Sequence, residues 1–216
     1  VSVRSAAGED SKNERVVQRS YQDLQELRQV HQYVVARELE GGDGDWIGAE
    51  RKSACLRAFM ARSRNRAIPS SLQKQVEASL AGMGLRTMKE VIDVDSGYSI
   101  DILVFMDADG SDTSAGAADS TLGFGEGTLV RAGQRAAVAL EVDGPQHFAL
   151  PENRIPLGNT VMKRRHLRQL GWRLAVVPYW EWPPDPTERE ELLQRKIRAA
   201  IEVRPLRSHA ASPEVG

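Results

Sequence analysis

Residues 138–148 read Val138-Ala-Leu-Glu-Val-Asp-Gly-Pro-Gln-His-Phe148, and this stretch decides the fold. Its first half is an apolar strand that carries Glu141 and Asp143 at alternate positions. Side chains two apart on a strand share a face, so the two carboxylates project together. Like charges side by side repel, and burial adds a desolvation cost. A core strand of this kind demands a cation, a proton or another partner. Gly144-Pro145 then breaks the strand and delivers His147 a few residues on.

The bulk composition excludes several classes. At 216 residues the chain fits one domain with an appendage or two small domains. A net charge of −1 excludes a strongly basic, non-specific nucleic-acid binder but leaves room for local basic patches. The single cysteine, Cys55, excludes a disulfide framework and a multi-cysteine zinc site, and points to a reducing compartment. No apolar run is long enough to span a membrane. The chain opens at Val1 without a signal-peptide pattern and reads as the processed or C-terminal part of something longer.

Outward from the strand, the elements fall in a readable order. Residues 1–11 read as a flexible lead-in. Val17, Tyr21, Leu24, Leu27, Val30 and Val34 then recur at helical spacing, which predicts a long amphipathic helix over 14–39. The glycine-rich turn at 41–45 ends it, and a second helix is expected over 47–61 with Leu56, Phe59 and Met60 as contacts. Arg51, Lys52, Arg57, Arg62, Arg64 and Arg66 make this region basic, either a solvated face or a phosphate-contacting patch. The pair reads as a helical hairpin, the portion 1–66. Pro69-Ser70-Ser71 opens a third helix, closed by Gly82 and Gly84. Strands at 91–94 and 98–105 form a hairpin across Asp95-Ser96-Gly97. Residues 107–135, rich in Gly, Ala, Ser and Asp, read as a surface insertion. After the strand at 136–143 come a proline-containing loop at 149–158, a helix capped by Asn159 or Thr160, a buried strand at 172–178 and a last helix over 187–203. Residues 67–203 thus form one α/β sandwich, a central mixed sheet flanked by helices, with 204–216 as a tail.

Three acids lie on neighbouring strands: Asp101 on one, Glu141 and Asp143 on the next. A helix, a hairpin with Asp on its second strand, and Glu-x-Asp on the third is the layout of restriction-endonuclease-like folds. There an Asp and a Glu hold a divalent metal and a lysine two positions on activates water. Asp143 fills the lysine position, so the usual base is missing. On a nuclease reading Asp101 and Glu141 hold Mg or Mn, Asp143 assists, and His147 serves as acid or base. On the packing reading, preferred for Asp143 and His147 singly, Asp143 binds backbone amides of the turn and His147 packs beside the sheet.

The motifs continue in order: Gly158-Asn159-Thr160, Lys163-Arg164-Arg165, Leu170-Gly171-Trp172 and Val177-Pro178-Tyr179-Trp180-Glu181-Trp182. With residues 138–148 they resemble the RAP domain over about 136–200. That domain is credited with RNA binding, is abundant in apicomplexan parasites and occurs in organellar RNA factors of algae, plants and animals. The resemblance implies an organellar RNA-binding protein, in a mitochondrion or alternatively a plastid, in which the domain follows helical repeats. It also implies kinship with very-short-patch-repair-type endonucleases. The insertion at 107–135 and the short helical N-terminal portion depart from the pattern.

Arg154, Lys163, Arg164, Arg165, Arg168 and Arg173 face a single acid, Glu152, between 152 and 173. On the helix Arg164, Arg165 and Arg168 stand opposite the apolar Val161, Leu167 and Leu170, and the cations read as a solvated face or as an RNA-phosphate rail, with amides at Asn159 and Thr160 as further donors. Trp180 is a candidate for base stacking, although aromatics at a strand end more often cover a core edge. The reading adopted is an RNA-binding protein acting in organellar RNA processing or stability, or bound to rRNA in an organellar ribosome, with ribosomal or RNA-processing proteins as further partners and no required cofactor. A metal-dependent nuclease and a protein-interaction scaffold are the alternatives.

Overall fold

The computed structural model describes residues 6–42, 45–64, 69–106, 128–133, 137–150 and 154–203. The chain divides into two compact units, Val1–Arg62 and Ser63–Gly216.

The first unit is the expected helical hairpin. Helix α1 spans Ala6–Leu39 and α2 spans Ala49–Arg64, with a 3-10 turn at Asp45–Ile47 between them. Helix α1 starts well before residue 14, because nothing in the lead-in stops a helix. The inner contacts differ from the stripe read in the sequence. Val34, Val35, His31, Cys55 and Ala58 are buried, whereas Leu24 is exposed. A two-helix pair covers only one side of α1, so the contacting face is narrower than the apolar stripe. The ring of His31 meets that of Phe59 at 4.8 Å, and the Arg28 guanidinium donates to the Ala58 carbonyl at 3.1 Å. Of the basic residues here, Arg51 and Arg57 are exposed and Lys52 pairs with Glu38.

The second unit holds α3 (Ser71–Gly82), β1 (Thr87–Asp93), β2 (Ser99–Phe105), β3 (Leu129–Val130), β4 (Ala137–Asp143), β5 (Phe148–Leu150), β6 (Ile155–Pro156), α4 (Gly158–Gln169), β7 (Arg173–Pro178) and α5 (Pro186–Glu202). The five-stranded sheet runs β3-β1-β2-β4-β7. Strand β2 pairs antiparallel with both β1 and β4, and β4 pairs parallel with β7. A parallel pair needs a crossover, which α4 supplies. The sheet is therefore mixed and flanked by helices, as expected.

Three local readings are corrected. Leu129-Val130, assigned to the insertion, pairs parallel with β1 as an edge strand; residues 107–127 and 134–136 lie outside the described set. The stretch 149–158, read as a loop, contains the β5–β6 hairpin, with Phe148 opposite Pro156 and Leu150 opposite Ile155. Proline is tolerated there because a two-stranded ribbon is all edge. Helix α4 is capped by Leu157, without a side-chain cap, so Asn159 and Thr160 sit inside its first turn.

Helices α3 and α5 cover one face of the sheet. Val76, Leu80, Leu193, Ile197 and Ala200 pack on Ile102, Val104, Val138, Leu140, Val142, Ala175 and Val177. Ser70 caps α3 through its side chain, accepting from the Gln73 amide at 3.1 Å. Asp185 caps α5 by accepting from the Thr187 and Glu188 amides. All seven residues of β4 are buried. That is the pattern of a strand covered on both faces, and it places Glu141 and Asp143 beneath the opposite layer, α4.

One buried carboxylate ties distant elements together. Asp93 is fully buried, and it accepts from the Ser96 amide at 2.8 Å, the Ser96 hydroxyl at 2.7 Å and the Trp172 indole at 2.8 Å. Burial pushes its pKa up, while these hydrogen bonds act against that rise. Removing the acceptor by Asp93→Ala leaves the buried indole and amide donors unpaired, each worth about 1–3 kcal/mol. Urea denaturation of that variant is expected to show a stability loss of ~2–5 kcal/mol; a loss below the smaller figure would show that the network is dispensable.

Candidate functional site

The site is built on the α4 face of β4. The side chains of Asp101, Glu141 and Asp143 are all buried, at 6%, 2% and 1% exposure. Asp101 Oδ2 accepts from the Val142 amide at 2.8 Å, so this carboxylate serves as a main-chain acceptor where the β2–β4 ladder ends. Helix α4 then lays two cations on the strand. Lys163 Nζ pairs with Glu141 Oε2, and an Arg164 guanidinium nitrogen pairs with Asp143 Oδ2. His147 Nδ1 lies 3.4 Å from Asp143 Oδ1. The demand set up by the paired carboxylates is met from within the chain.

The helix positions explain this. Thr160, Lys163, Arg164 and Leu167 stand at i, i+3, i+4 and i+7, one stripe of a helix. Thr160 and Leu167 are buried, so the stripe faces the sheet and takes both cations with it. His166 beside it is fully buried, with Nδ1 3.1 Å from the Tyr98 hydroxyl, which anchors the helix to the start of β2. Val161, grouped in the sequence with the apolar side, is 49% exposed. The rail therefore does not present its cations as a single row. Lys163 and Arg164 turn inward, Arg165 and Arg168 are exposed, and Arg173 is half-buried on β7. Asn159 Oδ1 accepts from the Thr160 amide at 2.9 Å, which uses one of the free amides at the helix start.

Glu141 is the most perturbed group of the site. Burial pushes its pKa up to about 8; Lys163 opposes the rise, and Asp101 and Asp143 add to it. Its Oε1 atom is buried without a hydrogen bond. As placed, the residues do not fit a metal. Asp101 is committed to an amide, Glu141 and Asp143 hold cations, and among the described residues no three His, Cys, Asp or Glu side chains converge as a metal set. The packing role weighed for Asp143, a bond to turn amides, is replaced by the ion pair with Arg164.

Beside the β5–β6 hairpin lies an aromatic cluster. The Trp180 ring meets Phe148 at 4.5 Å and Tyr179 at 5.2 Å, and the Arg154 guanidinium covers it at 5.3 Å. Arg154 adopts a left-handed φ of 55°, an uncommon conformation for a non-glycine residue. Trp182 belongs elsewhere. It packs against the core, donates to Gln75 Oε1 at 3.1 Å and lies under Arg189. Arg154 as the partner of Trp180 was not readable from spacing, since the two meet only through the hairpin.

These features define a mixed α/β domain whose acidic strand is closed by cations from the crossover helix. Residues 140–196, from β4 into α5, match the model of the RAP domain, and the chain carries a RAP domain there. FAST kinase domain-containing protein 3, mitochondrial, from Rattus norvegicus is 44% identical over 62 residues, 28% of this chain and 9% of the relative. RAP domain-containing protein, chloroplastic, from Oryza sativa subsp. japonica is 30% identical over 129 residues, 59% of this chain and 15% of the relative. The Homo sapiens FAST kinase domain-containing protein 3, mitochondrial, is 39% identical over 62 residues. The chain thus spans only about a tenth of the length of these relatives. No solved structure matches it significantly. The relatives' names, mitochondrial and chloroplastic, agree with a mitochondrial location and its plastid alternative. No described helix is long and apolar enough to cross a membrane.

Two outcomes test this electrostatic reading. Arg164→Ala strands the Asp143 charge and is expected to cost about 3–5 kcal/mol in denaturant unfolding. For Glu141, the folded pKa lies above the ordinary carboxylate value of 4.5, so its contribution is full below that pH and is lost as pH rises towards about 8. The stability gap between wild type and Glu141→Gln should shrink across that window by up to ~1.4 kcal/mol per pH unit. A gap that stays flat with pH would show that the Lys163 ammonium offsets burial in full and keeps Glu141 ionised in the fold.

Proposed function

We propose that this RAP domain grips organellar RNA without cutting it, acting in RNA processing or stability or as an rRNA-bound component of an organellar ribosome. The observation that carries the reading is the closure of the acidic strand by Lys163 and Arg164 within the residues that match the RAP domain. With its buried carboxylates neutralised from inside, the domain does not repel a polyanion at this face. The exposed cations Arg154, Arg165 and Arg168 would supply phosphate contacts. The half-exposed Trp180 offers a face for an unpaired base, and Arg154 over it adds a cation beside the backbone. No divalent metal is required in this mode, because the groups that would hold one are already engaged. Ribosomal or RNA-processing proteins would be its partners.

Fluorescence anisotropy with a single-stranded RNA, followed across a salt series, checks this. Arg154→Ala combined with Trp180→Ala is expected to weaken binding by about 1–3 kcal/mol and to lower the salt dependence, with Trp180→Phe recovering much of the stacking part. Failure of the wild-type chain to retain RNA at low salt sinks the proposal. Cleavage of that RNA in Mg or Mn that disappears in Glu141→Gln would replace it with the nuclease reading.

A further inference from the structure

The main sheet ends at β7, which pairs with β4 on one side and with no described strand on the other. A groove of about 430 Å³ follows this open side, lined by Arg168 of α4, by Arg173, Leu174 and Val176 of β7, and by Lys196 and Ala199 of α5. Its walls come from both layers. Leu174 and Val176 lie opposite Ala139 and Glu141 in register and so share the α4 face, whereas Ala175 packs in the core under α5. The groove therefore occupies the space in which a further strand would lie, with one helix on either side of it.

We propose that this groove takes an extended acidic peptide of a partner protein as an additional strand beside β7. Three observations converge on that occupant. An edge strand presents unpaired main-chain donors and acceptors, and a peptide satisfies them along its whole length. Alternate side chains of an added strand point to opposite faces, so one set meets Leu174 and Val176 while the other meets Ala199. The charge is one-sided: Arg168, Arg173 and Lys196 line the groove and none of the lining residues is acidic. Desolvation in the groove, with Arg164 close by, holds the Arg168 guanidinium below its ordinary value, which favours an anion beside it. Lys196 pairs at 2.6 Å with Glu181, an exposed carboxylate that an incoming acid can replace. Pro178 closes the strand, limiting the paired length to β7 itself.

RNA fits this groove less well. Base recognition on a single strand rests on stacking, and the one aromatic in the lining, Trp172, is 5% exposed with its indole held by Asp93. Trp180, the residue proposed for stacking, lies outside the lining. The proposal is thus independent of where RNA binds.

The test uses the full chain and a labelled synthetic peptide alternating glutamate and valine, read by anisotropy. Its controls are a lysine–valine counterpart and versions of the acidic peptide N-methylated on alternate residues in each register. The acidic peptide should bind, the lysine peptide should not, and one N-methylated register should fail, because it cannot donate to the β7 edge. Arg168→Glu with Arg173→Glu should weaken the acidic peptide by at least about tenfold. The idea is overturned if the acidic peptide does not bind, if the lysine peptide binds equally, or if both N-methylated registers bind as well as the parent. It is also overturned if the charge reversals abolish binding of an oligouridylate while leaving the peptide unaffected. Should the double variant fail to fold, the peptide comparisons on the wild-type chain decide.

Discussion

The domain depends on a single electrostatic balance. Strand β4 is buried over its whole length and carries two carboxylates on one face, with a third on its neighbour. Left alone, those groups would make the centre of the sheet the least stable part of the molecule. Helix α4 resolves this by placing an ammonium and a guanidinium on them, so the crossover that topology requires also supplies the counter-charges. The position of α4 is accordingly fixed twice, by Leu167 in the core layer and by two ion pairs. The sheet and the helix cannot slide past each other without stranding charge.

This balance also divides the cations of the C-terminal region by task. Lys163 and Arg164 hold the interior, Arg154 covers an aromatic ring, and Arg168 and Arg173 border the open strand. Residues that are uniform in a sequence window are not equivalent in space, since a helix distributes neighbours around its axis by about 100° per residue. A cluster of arginines in sequence is therefore a weak statement about a binding surface until the buried side of the helix is known.

The sheet was legible in the sequence because its signals are local and redundant. Alternation marked β2 and β4, turn residues marked Asp95-Ser96-Gly97, and a serine cap with apolar spacing marked α3. The short pairs β3 and β5–β6 were not legible, because two or three residues carry no periodicity and owe their conformation to a neighbouring strand. Glu141 and Asp143 share one buried face, as their alternation required. What the sequence reading missed is which cations meet them. The signal was present: Lys163 and Arg164 fall on the stripe set by Thr160 and Leu167, but the apolar Val161 drew the buried side the wrong way. The Asp93–Trp172 bond joins residues far apart in the chain and had no signature in either segment.

The antiparallel neighbours β2 and β4 are joined not by a hairpin but by the long connection from Phe105 to Ala137, which adds an edge strand on its way back. The entropic cost of bringing two strands together grows only logarithmically with the length of chain between them, about 0.6 kcal/mol for each doubling. The pairing of Ile102 with Leu140 is thus almost indifferent to how much chain lies between them. A change in the length of this connection is therefore expected to leave the sheet and its charge balance in place.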